Sequence, residues 1–245
     1  SRGRYTGADM WTLESQAAIV TGAARRMGRD IALKLAEAGA SVAVHYSQSA
    51  EEARQTAAEV EQRGVKSLLH RADVSRRDDA RGLVETAARH FGRLDILVNN
   101  AGLFFEGRYD RLTEEDLDRI LGVNLKAHLW TVQAAAPIMK KQGRGRIINI
   151  TSIGGLLSWP AYTHYCVSKA AAIMLTRCLA RALGPEITVN SIAPGTIQFP
   201  GEPLDEDYVR RSALKRTGKG NDIAGTVLFL ASEDAGFITG QVFVV

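Results

Sequence analysis

The chain has 245 residues, 45% of them hydrophobic and 24% charged, with a formal net charge of +4. That length suits one α/β domain with a large core, and the charges are interspersed, so neither disorder nor a nucleic-acid-binding stripe is indicated. Apolar runs fall short of the roughly 18 residues that a membrane span needs, and residues 1–16 carry no apolar segment of a signal peptide, so no membrane association or export is expected.

Residues 1–12 read as a flexible tail, and 13–245 as a single domain. AAIVTG (17–22) is a buried strand, followed by a helix from about Met27 to Ala38 that stops at Gly39. SVAVHY (41–46) is a second strand, with an amphipathic helix over 50–64. VKSLLHRADV (65–74) is a third strand before a helix over 78–91, and ILVNNAG (96–102) is a fourth. Helical material over 114–141 precedes the fifth strand, RIINITS (146–152), and a long helix starts near Tyr162. EITVNSIAPG (186–195) is a sixth strand, then a proline-rich loop, a short helix near 205–213, a helix over 221–232 and a seventh strand, QVFVV (241–245). Apolar strands alternating with helices predict about seven parallel strands with helices on both faces, a doubly wound, Rossmann-type sheet. Such a sheet binds its ligand outside the carboxyl ends of the strands.

Two cysteines, Cys166 and Cys178, lie twelve residues apart on one predicted helix. That spacing is about 18 Å along the axis, beyond disulfide reach, which suggests a reducing, cytoplasmic setting. No metal is expected.

The unusual residues fall at or just after strand ends. Tyr165 and Lys169 are four apart on a helix, so phenol and ammonium share a face, and the cation is expected to bring the phenol into a useful acid–base range. Ser152 ends the fifth strand, where its hydroxyl can hydrogen-bond a substrate carbonyl. TGAARRMGRDIA (21–32) joins the first strand to its helix, and Gly22 and Gly28 let a pyrophosphate approach the helix N-terminus, with Arg25, Arg26 and Met27 in the same turn. The second strand ends in HYSQS (45–49) with no carboxylate for a ribose 2′-hydroxyl. Arg25, Arg26, His45 and Ser47, beside Tyr46, are the candidates for holding a 2′-phosphate or the pyrophosphate, which favours NADP(H). Asp73 is a candidate for the adenine amino group, with Val74 against the ring, although an N-cap role for Asp73 is equally good physics. Asn99, Asn100, Ala101 and Gly102 form a small-residue turn beside the expected cofactor path, where Asn99 can also simply tie strands together.

Together with Asn124 in GVNL and Pro194–Gly195, this ordered set resembles the short-chain dehydrogenase/reductase family over residues 13–245. The resemblance implies hydride transfer between a nicotinamide and a carbonyl-type carbon. It implies Tyr165 as proton donor, Ser152 as polariser, and Lys169 as tuner of the phenol and ligand of ribose hydroxyls. Asn124 would organise a relay water, and Pro194, Gly195, Thr196 and Ile197 would contact the carboxamide. A homodimer or homotetramer is implied too, with Leu129, Trp130, Val132, Ala135, Ala171, Met174 and Leu175 offering apolar faces.

Arginine at position 26, where the family usually has glycine, looks like the pteridine reductase branch, as does HYSQSAEEA. Phe104 matches the aromatic on which that branch stacks a pterin, so Arg26, Phe104, Ser152 and Tyr165 are the candidate substrate contacts. Ser152 and Gly102 stand where that branch has aspartate and serine, which keeps the ordinary alcohol/ketone apparatus. The leading expectation is an NADPH-dependent reductase of a C=O or conjugated C=N substrate, such as a pteridine. The alternatives are a 3-oxoacyl-[acyl-carrier-protein] reductase, a ketone, sugar or steroid reductase, and, in another class, an inert nucleotide sensor.

Overall fold

The computed structural model describes residues 11–245, and residues 1–10 of the expected tail lie outside the described residues. Trp11, which the tail was expected to include, is part of the fold. Its indole N–H donates to Asp234 at 2.8 Å and its ring packs 5.5 Å from that of Phe229. An indole has both an apolar body and a donor to satisfy, and both find partners here.

Seven strands form one parallel sheet in the order β3-β2-β1-β4-β5-β6-β7. They are β1 Ala17–Val20, β2 Ser41–Tyr46, β3 Ser67–Arg71, β4 Ile96–Asn99, β5 Gly145–Ile150, β6 Ile187–Ala193 and β7 Val242–Val244. The order reverses between β1 and β4, which makes that crevice the topological switch point.

Alternation along the strands divides the core. Ala18 and Val20 of β1 face one layer, where α1 (Arg26–Glu37), α2 (Ala50–Glu61) and α8 (Gly220–Ala231) pack through Ile31, Leu35, Val60 and Val227. Ile19 faces the other, built on α3 (Arg77–Phe91), α5 (Ala127–Gln142) and α6 (Thr163–Leu183), with Leu83, Val132 and Met139. Because both faces are covered, β1, β4, β5 and β6 are buried throughout, which is why β1 and most of β4 read as apolar runs, while β5 and β6 bury polar residues such as Asn149 and Asn190 among apolar ones.

The remaining helices are α4 (Glu114–Leu121) and α7 (Glu206–Arg211). The stretch expected to be one helix over 114–141 is α4, a π-helical turn over Gly122–Lys126, then α5. Val132 and Ala135, expected as subunit-packing residues, lie instead in the core, whereas Met174 on α6 is exposed. A polar thread crosses the α3/α5/α6 layer: Thr131 Oγ1 donates to Asn99, Asn99 Nδ2 to Asn149, and Asn149 Nδ2 to Thr176. Asn99 therefore ties strands to helices, and every partner in that thread is satisfied. Among the described residues, no helix is long and apolar enough to cross a membrane.

Candidate active site

Three loops meet at the switch point. Thr21 Oγ1 accepts from the backbone N–H groups of Asn100 and Ala101, at 2.9 and 3.0 Å, and Asn100 Nδ2 donates to the carbonyls of Thr21 and Gly22. The turn after β4 is thereby stapled to the glycine turn after β1. Gly22 adopts φ 64°, and a Cβ on Gly28 would overlap the Gly22 carbonyl and come 2.6 Å from Asn100 Nδ2. Glycine at 28 is thus required by loop-on-loop packing as much as by any ligand.

His45 does not offer a cation at the tip of β2, contrary to the sequence-based expectation. Its ring is buried, Nδ1 accepts from the Gly22 N–H at 3.0 Å, and Nε2 donates to the Ala72 carbonyl at 3.1 Å. Burial pushes its pKa down to about 4, so near neutrality it is an uncharged strut between three strand ends. Tyr46 is half-buried against the core and Ser47 is exposed. Val74 is buried in the same apolar cluster as Leu83 and Val84. Asp73 Oδ1 accepts from the Ser75 N–H and hydroxyl, at 3.1 and 2.6 Å, so one of its oxygens stabilises the turn into α3.

The N-terminus of α1 has no side-chain cap and no acidic residue in its first turn. Arg25, Arg26 and Arg29 line a cleft of about 610 Å³ beside it, with Asp30, Phe199, Pro200 and Glu202. Free N–H groups, a positive helix end and the Arg25 guanidinium make a donor set suited to a dinucleotide pyrophosphate, with Arg26 and Arg29 held by Glu202 and Glu59. Arg26 holds φ 54°, a left-handed conformation that favours glycine. Its guanidinium pairs with Glu202 and lies 4.8 Å from the centroid of the Phe199 ring, on the loop that follows β6. Met27 is half-buried against the core.

On the other side of the switch point, Ser152 begins a short 3₁₀ turn (Ile153–Gly155), and its Oγ accepts from Gly154 N–H at 3.0 Å. Pro194 accepts from Ile153 N–H, which ties the turn after β6 to that serine. Thr196 accepts from the Gly218 N–H, and Ile197 forms an isolated parallel bridge with Gly218, anchoring the start of the 197–207 loop. Tyr165 and Lys169 face the same space from α6, with Lys169 Nζ 5.8 Å from the centroid of the Tyr165 ring. Lys169 is buried and donates to the Ile150 carbonyl at 3.0 Å. A Cβ on Gly102 would sit 3.5 Å from both Lys169 Nζ and Asn124 Oδ1, so these three residues border one small space.

The electrostatics differ from the expectation of a phenol made acidic by its neighbouring ammonium. Burial raises the Tyr165 pKa above the ordinary tyrosine value, and hydrogen bonding with Ser152 offsets part of that rise. Complete burial pushes Lys169 down to about 8. For both groups desolvation by burial is the largest influence.

Asn124 sits in the π-turn, which aims its side chain between two segments. Oδ1 accepts from Leu103 N–H at 2.7 Å, while Nδ2 donates to Leu103 O at 3.0 Å and to Ser168 Oγ at 3.1 Å. Ser168 in turn donates to Tyr165 O at 2.7 Å. Asn124 and Ser168 therefore lock the loop after β4 to the helix that carries Tyr165. Ser168 had no sequence signal beyond lying between Tyr165 and Lys169.

Phe104 stacks on Tyr162, with centroids 4.6 Å apart, and meets Tyr165 edge-on at 4.8 Å. Trp159 lies parallel to Tyr165 at 6.2 Å. Two rings, Phe104 and Trp159, thus flank the phenol with Tyr162 stacked behind Phe104, and Trp159 and Tyr162 were missed because aromatic residues in a loop carry no periodic signal. Arg26 is directed to the 197–207 loop, so the structure does not bring it to the ring of Phe104.

Comparison with known proteins adds to this geometry. Residues 22–245 match a family model described as Enoyl-(Acyl carrier protein) reductase. A 3-oxoacyl-[acyl-carrier-protein] reductase of Staphylococcus epidermidis is 40% identical over 233 residues, covering 93% of this chain and 96% of the relative. Among solved structures, a blue fluorescent protein from a metagenomic library in complex with NADPH superposes with a TM-score of 0.90 at 36% identity, covering 96% of this chain and 97% of that one. A short-chain dehydrogenase from Burkholderia cenocepacia in complex with NADP gives a TM-score of 0.89 at 38% identity, covering 95% and 97%.

Proposed function

Because this chain belongs to the short-chain dehydrogenase/reductase family and is an NADP(H)-dependent oxidoreductase, we propose that it reduces a 3-oxoacyl thioester to the 3-hydroxyacyl form, with Tyr165 as proton donor. The observation that carries this reading is the meeting of Ser152, Tyr165 and Lys169 at the carboxyl end of β5, in a chain whose curated relative bears a 3-oxoacyl reductase name. The bound cofactor supplies the hydride. Ser152 hydrogen-bonds the substrate carbonyl oxygen, and Tyr165 gives its phenolic proton to that oxygen. An alcohol remains on the substrate, and a phenolate remains beside the Lys169 ammonium. Arg25 and the N-terminus of α1 hold the pyrophosphate, while Gly195, Thr196 and Ile197 border the nicotinamide end. Asn124, through Leu103 and Ser168, fixes the loop and helix that frame the substrate.

A planar pterin-like ring is the second reading. It is supported by Phe104, more than half exposed with one face on Tyr162 and its edge on Tyr165. It is weakened by the pairing of Arg26 with Glu202. The family further suggests a cytoplasmic homodimer or homotetramer, with exposed Val167 and Met174 on α6 as candidate contacts.

The deciding experiment follows oxidation of NADPH and NADH with acetoacetyl, crotonyl and dihydrobiopterin substrates. Turnover of the acetoacetyl thioester with NADPH is the expected result. Turnover of dihydrobiopterin alone would replace it with the second reading, and a requirement for NADH would overturn the cofactor assignment.

A further inference from the structure

The tip of β2 carries no carboxylate for a ribose diol, and it lacks the charged histidine that the sequence suggested for a phosphate. His45 is neutral and both of its ring nitrogens are committed. A cation does stand there, contributed by the neighbouring strand. Arg71 is the last residue of β3, in register with Tyr46 at the end of β2. Its Nε donates to the Ser47 carbonyl at 3.1 Å, which lays the guanidinium across the β2 tip.

The bonding state of this arginine separates it from two of the three arginines around the glycine turn. Arg26 pairs with Glu202 and Arg29 with Glu59, while Arg25 stands at the helix end rather than at the β2 tip. Arg71 has no carboxylate within salt-bridge distance among the described residues, and Nε is the only one of its nitrogens with a protein acceptor there. A guanidinium anchored through Nε keeps its two terminal nitrogens, and their N–H donors, for a planar two-point contact. That geometry matches a phosphate monoester and is poorly used by a neutral diol.

We propose that Arg71 is a specificity-determining residue that recognises the 2′-phosphate of the adenosine half of NADP(H), with Ser47 fixing its orientation through the backbone carbonyl. The inference rests on the dinucleotide site of the proposed function and adds a residue that the glycine turn and the β2 tip do not contain. In β3 Arg71 follows SLLH and precedes Ala72–Asp73, where it reads as an ordinary exposed strand end. Only the parallel pairing of β2 with β3 brings it over Ser47.

The test is equilibrium titration of the full chain and of Arg71→Gln with NADPH, NADH, 2′,5′-ADP and 5′-AMP, read by fluorescence or calorimetry. Glutamine retains a side-chain donor for the Ser47 carbonyl while removing the charge. The expected result is that Kd for NADPH and 2′,5′-ADP rises about tenfold or more, as loss of a charge-assisted bidentate contact implies, with NADH and 5′-AMP unchanged. The salt dependence of NADPH binding should also become shallower. If the variant keeps the wild-type preference for the phosphorylated ligands, Arg71 does not recognise the phosphate. Equal weakening of all four ligands means that Arg71 only supports the loop, and also overturns the proposal. A wild-type chain that binds none of them removes the dinucleotide site itself, a failure distinct from loss of preference in the variant alone.

Discussion

The two halves of the crevice are built in different ways. On the β4–β5–β6 side, Asn124, Ser152, Ser168 and Lys169 are buried and hydrogen-bonded to backbone or to each other. On the β1–β2–β3 side, the charged groups are exposed arginines on turns and strand ends, some latched to carboxylates. Proton transfer requires reacting atoms held within a few tenths of an ångström, whereas a phosphate can be held by cations that adapt. Substitutions should therefore separate chemistry from binding across the crevice.

The sharpest way to break that contrast is Tyr165→Phe. It removes the proton donor and leaves the surrounding rings in place, so kcat should fall by about 10³-fold, within the range for general acid catalysis. NADPH affinity should stay within about twofold, since the change acts on the transition state rather than on binding. Steady-state kinetics with a parallel cofactor titration checks both halves of the statement. Comparable turnover in the variant would remove Tyr165 from the mechanism.

The next effect lies on the nucleotide side. In Gly28→Ala the new methyl would overlap the Gly22 carbonyl and crowd Asn100 Nδ2, so the glycine turn and the turn after β4 must separate. Overpacking of this kind costs about 1–3 kcal/mol. Thermal unfolding should report a lower midpoint, and NADPH binding should weaken more than the melting shift accounts for. A variant that binds normally would show that the stapled loops are not the pyrophosphate cradle.

The pH profile sharpens the catalytic half. Lys169 has its pKa pushed down to about 8, while Tyr165 is raised and so stays protonated well above neutrality. For reduction in the free enzyme, the acid is present throughout the accessible range, and the ammonium that receives the phenolate is lost as pH rises through about 8. The kcat/KM value should be flat below that point and fall by up to about tenfold per pH unit above it. A decline beginning only near the tyrosine range would mean that Lys169 does not set the limb.

The sheet could be read from sequence because both of its faces are covered, which turns its central strands into mainly apolar runs such as AAIV and ILV. The site residues could be placed because a doubly wound sheet delivers strand-end residues to one edge. Contacts across strands could not be read. His45 and Tyr46 alternate across a doubly covered sheet, so periodicity gave no reason to prefer the inward ring that His45 adopts. Arg71 acquires its meaning from β2–β3 register, and Asn124 from a π-turn that an apolar pattern reads as ordinary helix. The acidity of Tyr165 was misjudged for a related reason: helical spacing gives proximity to Lys169 but not the depth of burial, and burial dominates here.

Arg26→Gly should give the smallest change in stability and the most local one. Glycine removes the strain of a left-handed arginine, worth about 1–2 kcal/mol. Against this stand an exposed ion pair with Glu202, worth about 0.2–1 kcal/mol, and a cation–π contact with Phe199, worth about 0.5–1 kcal/mol. Greater freedom of the unfolded chain offsets a further 0.5–1 kcal/mol or so. The opposing effects nearly cancel, so the melting temperature should move by no more than about 2–4 °C, the shift for roughly 1 kcal/mol at this chain length. The 197–207 loop, however, loses both side-chain contacts to the glycine turn, and amide exchange there should accelerate while α6 and the strands stay protected. Unchanged exchange in that loop would mean that its anchorage comes from the Thr196–Gly218 and Ile197–Gly218 pairings alone. The arginine would then serve the nucleotide rather than the loop.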